Sequence, residues 1–286
     1  MNVYEFPPES RTTPRYGGDG RKSTALLIID PQNDFHPGGS LAVAGADSDA
    51  ERISRFILDN ALQIDDIFVT LDTHQKLHIA HPMFWKDQDG EDPAPFTIIS
   101  SADVESGKWA CKAECNKDHA LRYVKGLEAG GKFSLCIWPY HCLVGTVGHA
   151  VTPHVQGALH QWETDHSACV RYVLKGNNAL TEHYSALKAE VEIENDPHTA
   201  FNTDLFDALA KFDRVIVCGQ AKSHCVNFTV RDLVSRWPKD ETNRIVLLDD
   251  AMSSVGGFEE AGDAFIKDME EAGLVVCKCD QVPFAS

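Results

Sequence analysis

Four short apolar runs in this chain each end in a side chain that can do chemistry. The first closes on Asp30, in Asp30-Pro-Gln-Asn-Asp-Phe35. The second closes on Asp72-Thr-His74, the third on Lys175, and the fourth on Gly219-Gln-Ala-Lys-Ser-His-Cys225. Cys225 is a candidate nucleophile. A thiol is mostly protonated at neutral pH, and a helix N-terminus or a nearby cation lowers its pKa and exposes the thiolate. The tight turn before it would aim the backbone N–H groups of Ala221 and Cys225 at an oxyanion. A free cysteine is also commonly a small buried hydrophobe. Asp30 follows five apolar residues, so partial desolvation would raise its pKa into a range useful for moving a proton. It could equally be a turn acid before Pro31. Lys175 could hold a thiolate and fix the acid, or simply be a solvated surface lysine. Asp72 and His74, two residues apart, point the same way if the strand continues. With a third ligand from among thirteen histidines they would suit a borderline divalent metal with open positions. Ordinary loop polarity is the competing reading, because short metal motifs have many false positives.

These residues need a scaffold that brings strand ends together. Near-continuous apolar runs at 24–30, 66–72, 167–174, 214–218, 244–249 and 274–277 suit strands buried on both faces. Amphipathic stretches at 47–60, 153–165, 203–211, 223–236 and 258–272 predict helices between them, with Gly273 a plausible stop for the last. The alternation predicts one mostly parallel α/β sheet with helices on both faces, and in such sheets ligands bind beyond the carboxyl ends of the strands. Residues 75–140 break the rhythm and read as an insertion between the second and third strands. It holds a helix at about 116–129, a short apolar run at 133–138, and Trp138-Pro-Tyr-His-Cys142 just after. The insertion could be a lid, an oligomer contact or both. Residues 1–23, rich in Pro, Gly and Arg, read as a flexible tail. Residues 24–286 then form a single domain.

Composition removes several classes. With 26 Lys+Arg against 43 Asp+Glu, a net charge of −17 and no dense basic cluster argue against nucleic acid as a partner. No apolar run is long enough to span a bilayer, so no membrane partner is expected. Nine cysteines, an odd number, and no apolar signal segment at the N-terminus predict free thiols in the cytoplasm. Three features rank low. His224 adjoins Cys225, but adjacent helix residues do not face one another. Cys111 with Cys115, and Cys277 with Cys279, lack the paired spacing of a zinc site. Cys142 reads as packing.

Five motifs in order resemble the nicotinamidases of the isochorismatase-like cysteine hydrolases. They are Asp30-Pro-Gln-Asn-Asp-Phe35 with Gly38-Gly39-Ser-Leu41, Asp72-Thr-His74 with His78, and Trp138-Pro-Tyr-His-Cys142 with Gly145-Thr146. Lys175-Gly176 with Tyr184-Ser-Ala186, and Gly219-Gln-Ala-Lys-Ser-His-Cys225-Val226, complete them. The resemblance runs from about residue 24 to 255. It implies a six-stranded, Rossmann-like three-layer fold, a catalytic triad of Asp30, Lys175 and Cys225, and metal ligands Asp72, His74 and His141. It implies an aromatic pair, Phe35 and Trp138, around a pyridine ring, and a cis peptide between Gln220 and Ala221. The implied activity is hydrolysis of nicotinamide to nicotinate and ammonia through a cysteine thioester, within NAD salvage. The implied cofactor is one divalent ion, zinc, with iron or manganese as alternatives. The family often self-associates, so a homo-oligomer is an expectation too. Thr73 stands where a tryptophan is usual and Ser223 where an aspartate is usual, and the span from His74 to His141 is longer than in compact members. A related amidase for another small carboxamide, or a catalytically silent metal- or thiol-binding protein, are the alternatives.

Overall fold

Burial on both faces explains why the strand-forming runs do not alternate. In the computed structural model, which describes residues 22–130 and 134–284, six strands form one sheet. They are β1 (Thr24–Ile29), β2 (Asp66–Asp72), β3 (Arg171–Lys175), β4 (Arg214–Gly219), β5 (Ile245–Leu248) and β6 (Val275–Cys277). Their order is β6-β5-β4-β1-β2-β3, and every pairing is parallel. All side chains of β1 and β2 are buried. Successive residues still choose opposite faces. Leu26 and Ile28 pack with α1 (Ala46–Asp59) through Ile53, Phe56 and Ile57, and with α2 (Pro153–His166) through Val155, Leu159 and Trp162. Ala25, Leu27 and Ile29 belong to the other cluster. It includes Leu205 and Leu209 of α3 (Thr203–Ala210), Val230 and Leu233 of α4 (Asn227–Arg236) and Phe265 of α5 (Glu259–Glu271).

The strand order reverses between β1 and β4, and this is where an open α/β sheet leaves its crevice. Gly219 ends β4 there at φ +117°, and a Cβ on it would stand 2.1 Å from the Ile29 carbonyl oxygen. Only glycine lets the backbone leave β4 this close to β1.

Two expected boundaries move. The third strand begins at Arg171 rather than 167, because α2 continues to His166 and Ser167 closes it in the left-handed region. The helix expected from 223 begins at Asn227, because Lys222–Val226 forms a π-helical turn first. The insertion folds onto the sheet. Trp85–Lys86 pairs antiparallel with Ala110–Cys111, and Ile98–Ile99 with Leu135–Cys136. Its helix Lys117–Ala129 buries Tyr123, Val124 and Leu127 in the cluster that holds β1's Ala25 and Leu27. Residues 1–21 of the expected tail lie outside the described residues. Ser23, assigned to that tail, is buried, and both its amide and its hydroxyl donate to Asp213. Among the described residues no helix is long and apolar enough to cross a membrane.

Candidate active site

Parallel pairing of β1, β2, β3 and β4 brings their carboxyl ends side by side. Asp72 is registered against Lys175 across β2 and β3, and Ile29 against Gly219 across β1 and β4. Lys175 becomes the centre of the site. Its Nζ lies 2.8 Å from Asp30 Oδ2 and 2.9 Å from Asp72 Oδ1. It also lies 2.9 Å from the His183 carbonyl and 3.5 Å from Cys225 Sγ. An ammonium has three hydrogens, and its hydrogen bonds run to Asp72 Oδ1, the His183 carbonyl and the Cys225 sulfur. Asp30 Oδ2 is held by charge, as an ion pair. Burial works against the lysine's charge, but Asp30 and Asp72 overrule it and hold its pKa well above the ordinary value.

Asp30 is fully buried and sits in the left-handed region at φ +42°. A non-glycine residue there is a cost that marks functional positions. Its backbone N–H and its carboxylate both meet Thr70, whose hydroxyl donates to Asp30 Oδ1 at 2.5 Å. Burial raises the Asp30 pKa, against the pull of Lys175 and of the Thr70 hydroxyl. Thr70 was not visible as a site residue, because it lies inside β2 and only the sheet pairing brings it to Asp30.

Cys225 is the fourth residue of the π turn and is buried. Such turns are rare and recur at functional sites. The expected lowering of its thiol pKa is corrected by the structure. Burial pushes the thiol well above its ordinary value, and Lys175 offsets this only in part, with Asp30 and Asp72 adding to the rise. Desolvation outweighs the single cation, which favours the neutral thiol at rest. The Gln220–Ala221 peptide is cis. Ala221, just before the turn, and Cys225, within it, whose amides were expected to face an oxyanion, are both buried. The turn is tied to the helical layer. Gln220 Nε2 donates to Asp49 Oδ2 at 2.8 Å, and the Ser253 hydroxyl donates to the same oxygen at 2.6 Å.

Asp72, His74 and His141 converge as a second group. Strand β2 ends at Asp72, but His74 continues it through a bridge to Leu143, so both side chains do face one way. The donor set fits a cation for a reason of proton placement. His74 Nδ1 meets the Gly176 carbonyl at 3.2 Å, and His141 Nδ1 meets the Pro139 carbonyl at 2.8 Å. A carbonyl only accepts, so each ring's proton is on Nδ1 and each Nε2 is bare. Both bare nitrogens point at one acceptor, Asp72 Oδ2, at 2.9 and 3.3 Å. A divalent ion among these three atoms satisfies all of them. Burial works against charge on His74, and Asp72 overcomes it to raise the His74 pKa. Burial works against charge on Asp72, yet His74 and Lys175 hold it well below the usual carboxylate range. Gly176 is needed for this closeness. It has φ +80°, and a Cβ on it would stand 2.9 Å from Asp72 Oδ1 and from the His74 ring.

Glu182 was missed. It lies in a loop with no motif, yet it is buried with Oε1 3.8 Å from His74 Nε2. His78 is near but already satisfied, with Nε2 on the Thr181 carbonyl and Nδ1 accepting from Ala80 N–H. The two expected aromatic residues meet different neighbours. Phe35 meets the His141 ring edge-on at 5.7 Å, and Trp138 meets His224 at 5.2 Å and hydrogen-bonds the Tyr184 hydroxyl. Ser223, the unusual residue before the cysteine, hydrogen-bonds His224 Nδ1 and accepts from Val255 N–H. Thr73 donates to the Leu71 carbonyl and meets His149 Nε2 at 2.9 Å. All nine cysteines are free thiols.

A six-stranded parallel sheet in this order, with a cysteine, an acid and a lysine at adjoining strand ends, is the isochorismatase-like α/β fold. No family model matches the chain. In sequence it is similar to nicotinamidases. It is 28% identical to the nicotinamidase of Escherichia coli over 209 residues, which is 73% of this chain and 75% of that one. In structure it is similar to an Acinetobacter baumannii nicotinamidase/pyrazinamidase, with TM-score 0.62 and 24% identity, covering 92% of this chain and 99% of that one. It is also similar to the pyrazinamidase of Pyrococcus horikoshii in complex with zinc, with TM-score 0.53 and 21% identity, covering 90% and 99%.

Replacing Lys175 by Met removes the one cation that pulls the Cys225 thiol down. Alkylation of Cys225 by iodoacetamide at pH 8, followed by peptide mapping, is expected to slow by at least about tenfold. Breaking the buried pair is expected to cost about 3–5 kcal/mol of stability, measured by denaturant unfolding. An unchanged alkylation rate in the folded variant would contradict the placement of the charge.

Proposed function

We propose that this protein hydrolyses nicotinamide to nicotinate and ammonia, with Cys225 as nucleophile. The observation that carries the reading is the contact of one buried ammonium, Lys175, with Asp30 and Cys225 together. The similarity to nicotinamidases supplies the substrate.

The chemistry follows from which group can move a proton. Asp30, ionised, takes the proton of the Cys225 thiol as the sulfur attacks the carboxamide carbon. The resting thiol has a raised pKa, so proton transfer and attack go together rather than from a standing thiolate. Lys175 carries its charge throughout and steadies the sulfur as it becomes negative. The carbonyl electrons move onto oxygen, which the amides of Ala221 and Cys225 receive. Such a donor typically contributes about 3–4 kcal/mol to lowering the barrier. Asp30 returns its proton to the departing nitrogen, the C–N bond breaks, and ammonia leaves a thioester on Cys225. Water then gives a proton to Asp30 and its oxygen attacks the thioester. The C–S bond breaks, the sulfur recovers the proton, and the carboxylic acid product is released. Phe35 and Trp138 hold the flat ring between the two halves of the site. Asp72, His74 and His141 would hold a divalent ion, zinc by the borderline chemistry of two imidazoles and a carboxylate, with iron or manganese as alternatives. When bound it supplies a Lewis-acidic anchor for the pyridine nitrogen. The product nicotinate places the reaction in NAD salvage, and the free thiols suit a cytoplasmic enzyme.

The test is ammonia release from nicotinamide. The protein is expected to turn it over, and Cys225→Ala to fall to the background rate with fold and metal content intact. Turnover of other small carboxamides but not nicotinamide would move the substrate. Turnover of nicotinamide by Cys225→Ala would remove the nucleophile.

The pH dependence has a definite sign. Protonated Asp30 cannot accept the thiol proton, so kcat/KM falls as pH falls through the Asp30 pKa. Burial raises that pKa, so the acid limb lies above the ordinary aspartate value of about 3.9. The Thr70 hydroxyl favours the ionised form. Thr70→Val is expected to move the limb to higher pH by about one unit. A limb that stays or moves down in the pH–rate profile would contradict Asp30 as the base.

A further inference from the structure

His81 is a buried histidine beside the metal-type cluster with one ring nitrogen unused. Its side chain is shut off from solvent, and its ring meets those of His74, His78, Tyr140 and His141 at 5.2, 5.2, 5.3 and 5.5 Å. Its Nδ1 meets the Lys76 carbonyl at 3.3 Å. The carbonyl can only accept, so the proton sits on Nδ1 and Nε2 carries a bare lone pair. That Nε2 is buried and has no hydrogen-bond partner among the described residues. The neighbouring imidazoles cannot provide one. The N–H of His74 is spent on the Gly176 carbonyl, that of His78 on the Thr181 carbonyl, and that of His141 on the Pro139 carbonyl. A buried acceptor left without a donor costs about 1–3 kcal/mol, and such a group is normally met by water or an ion.

We infer that His81 Nε2 accepts a hydrogen bond from a water carried by the metal at Asp72, His74 and His141, so that His81 is a positioning residue of the metal centre. The inference rests on the metal assignment of the proposed function. Direct ligation is not the geometry at hand. The donor atoms of Asp72, His74 and His141 lie within 4.8 Å of one another, as do those of His74, His78 and Glu182, and His81 is in neither group. A metal-bound water is a stronger donor than a free one because the cation acidifies it, and a neutral imidazole is a matching acceptor. The residue is held in place from its own backbone, where its N–H donates to the His78 carbonyl and Pro82 follows at once.

The experiment uses the full chain loaded with zinc. His81→Phe keeps a ring against the four neighbours and removes the acceptor. Zinc affinity, measured by competition with a chromogenic chelator, is expected to weaken by about 10–100-fold, and His81→Gln, which restores an acceptor oxygen, to recover part of the loss. In the unsubstituted protein, ¹⁵N NMR of the histidine rings gives a second readout. With cadmium in place of zinc, Nε2 of His74 and His141 should couple to the metal. Nε2 of His81 should shift on loading without coupling. An unchanged zinc affinity in His81→Phe, or a His81 signal indifferent to the metal, would overturn the inference while leaving the metal site in place. Direct coupling at His81 would overturn it by making His81 a ligand. Absence of zinc binding by the unsubstituted protein would overturn the inference together with the metal assignment. Ammonia release is scored separately.

Discussion

One buried ammonium holds the site together. Lys175 Nζ lies within 3 Å of carboxylates from two different strand ends and within 3.5 Å of a thiol from a third. Two buried carboxylates this close would repel and pull protons from solution if the lysine were absent. Lys175 draws both down; His74 draws Asp72 down further, while at Asp30 burial outweighs the lysine. Asp72 is held well below the ordinary carboxylate range, and Asp30 is raised above it. Two chemically identical side chains thus become a permanent anion suited to a metal and a carboxylate able to exchange a proton. The same charge offsets part of the rise that burial gives the Cys225 thiol. The sheet order is what allows this, because β3, β2, β1 and β4 are consecutive neighbours and their ends lie in a row.

The long insertion could have spoiled that arrangement, since it separates His74 from Trp138 and His141 in the chain. It does not, because its end is fastened to the strand tips. His74 N–H donates to the Cys142 carbonyl and Val144 N–H to the His74 carbonyl, each at 3.0 Å. The Asp34 carboxylate accepts from Cys142 N–H at 2.7 Å, which ties the loop after β1 to the loop that carries His141. Gly148 passes so close to Asp34 that a Cβ there would overlap its carboxylate, at 2.0 Å from Oδ2. Extra length is therefore accommodated between fixed points. The added helix and ribbons bury their apolar faces in the core on the α3–α5 side of the sheet.

How much of this was readable before folding depends on what kind of fact it is. Asp30, Asp72, Lys175 and Cys225 were legible as strand-end residues, because burial on both faces leaves a plain signature of apolar runs and a parallel sheet puts function at their carboxyl ends. His141, Phe35 and Trp138 were legible only through the family resemblance, since nothing local marks a loop histidine as a ligand. Thr70, Glu182 and His81 were not legible at all. Their surroundings exist only in the fold, across the β1–β2 pairing for Thr70 and in the packing of loops for the other two. The direction of the Cys225 shift was misjudged for the same reason. A nearby cation was foreseeable, but complete burial, which outweighs it, belongs to the packing. The π turn that places the cysteine follows no periodicity, so a continuous helix was the natural expectation.

If Lys175 truly joins the two halves, loading the metal must be felt at the sulfur. The Asp72 charge is one of those that raise the Cys225 pKa, and a divalent ion on that carboxylate withdraws it. The direct measurement is the pH dependence of Cys225 alkylation in the metal-free protein and in protein reloaded with one equivalent of zinc. The midpoint is expected to move to lower pH on loading. Superimposable profiles, or a midpoint that rises, would mean that thiol and metal ligands are electrostatically independent, contrary to the arrangement described.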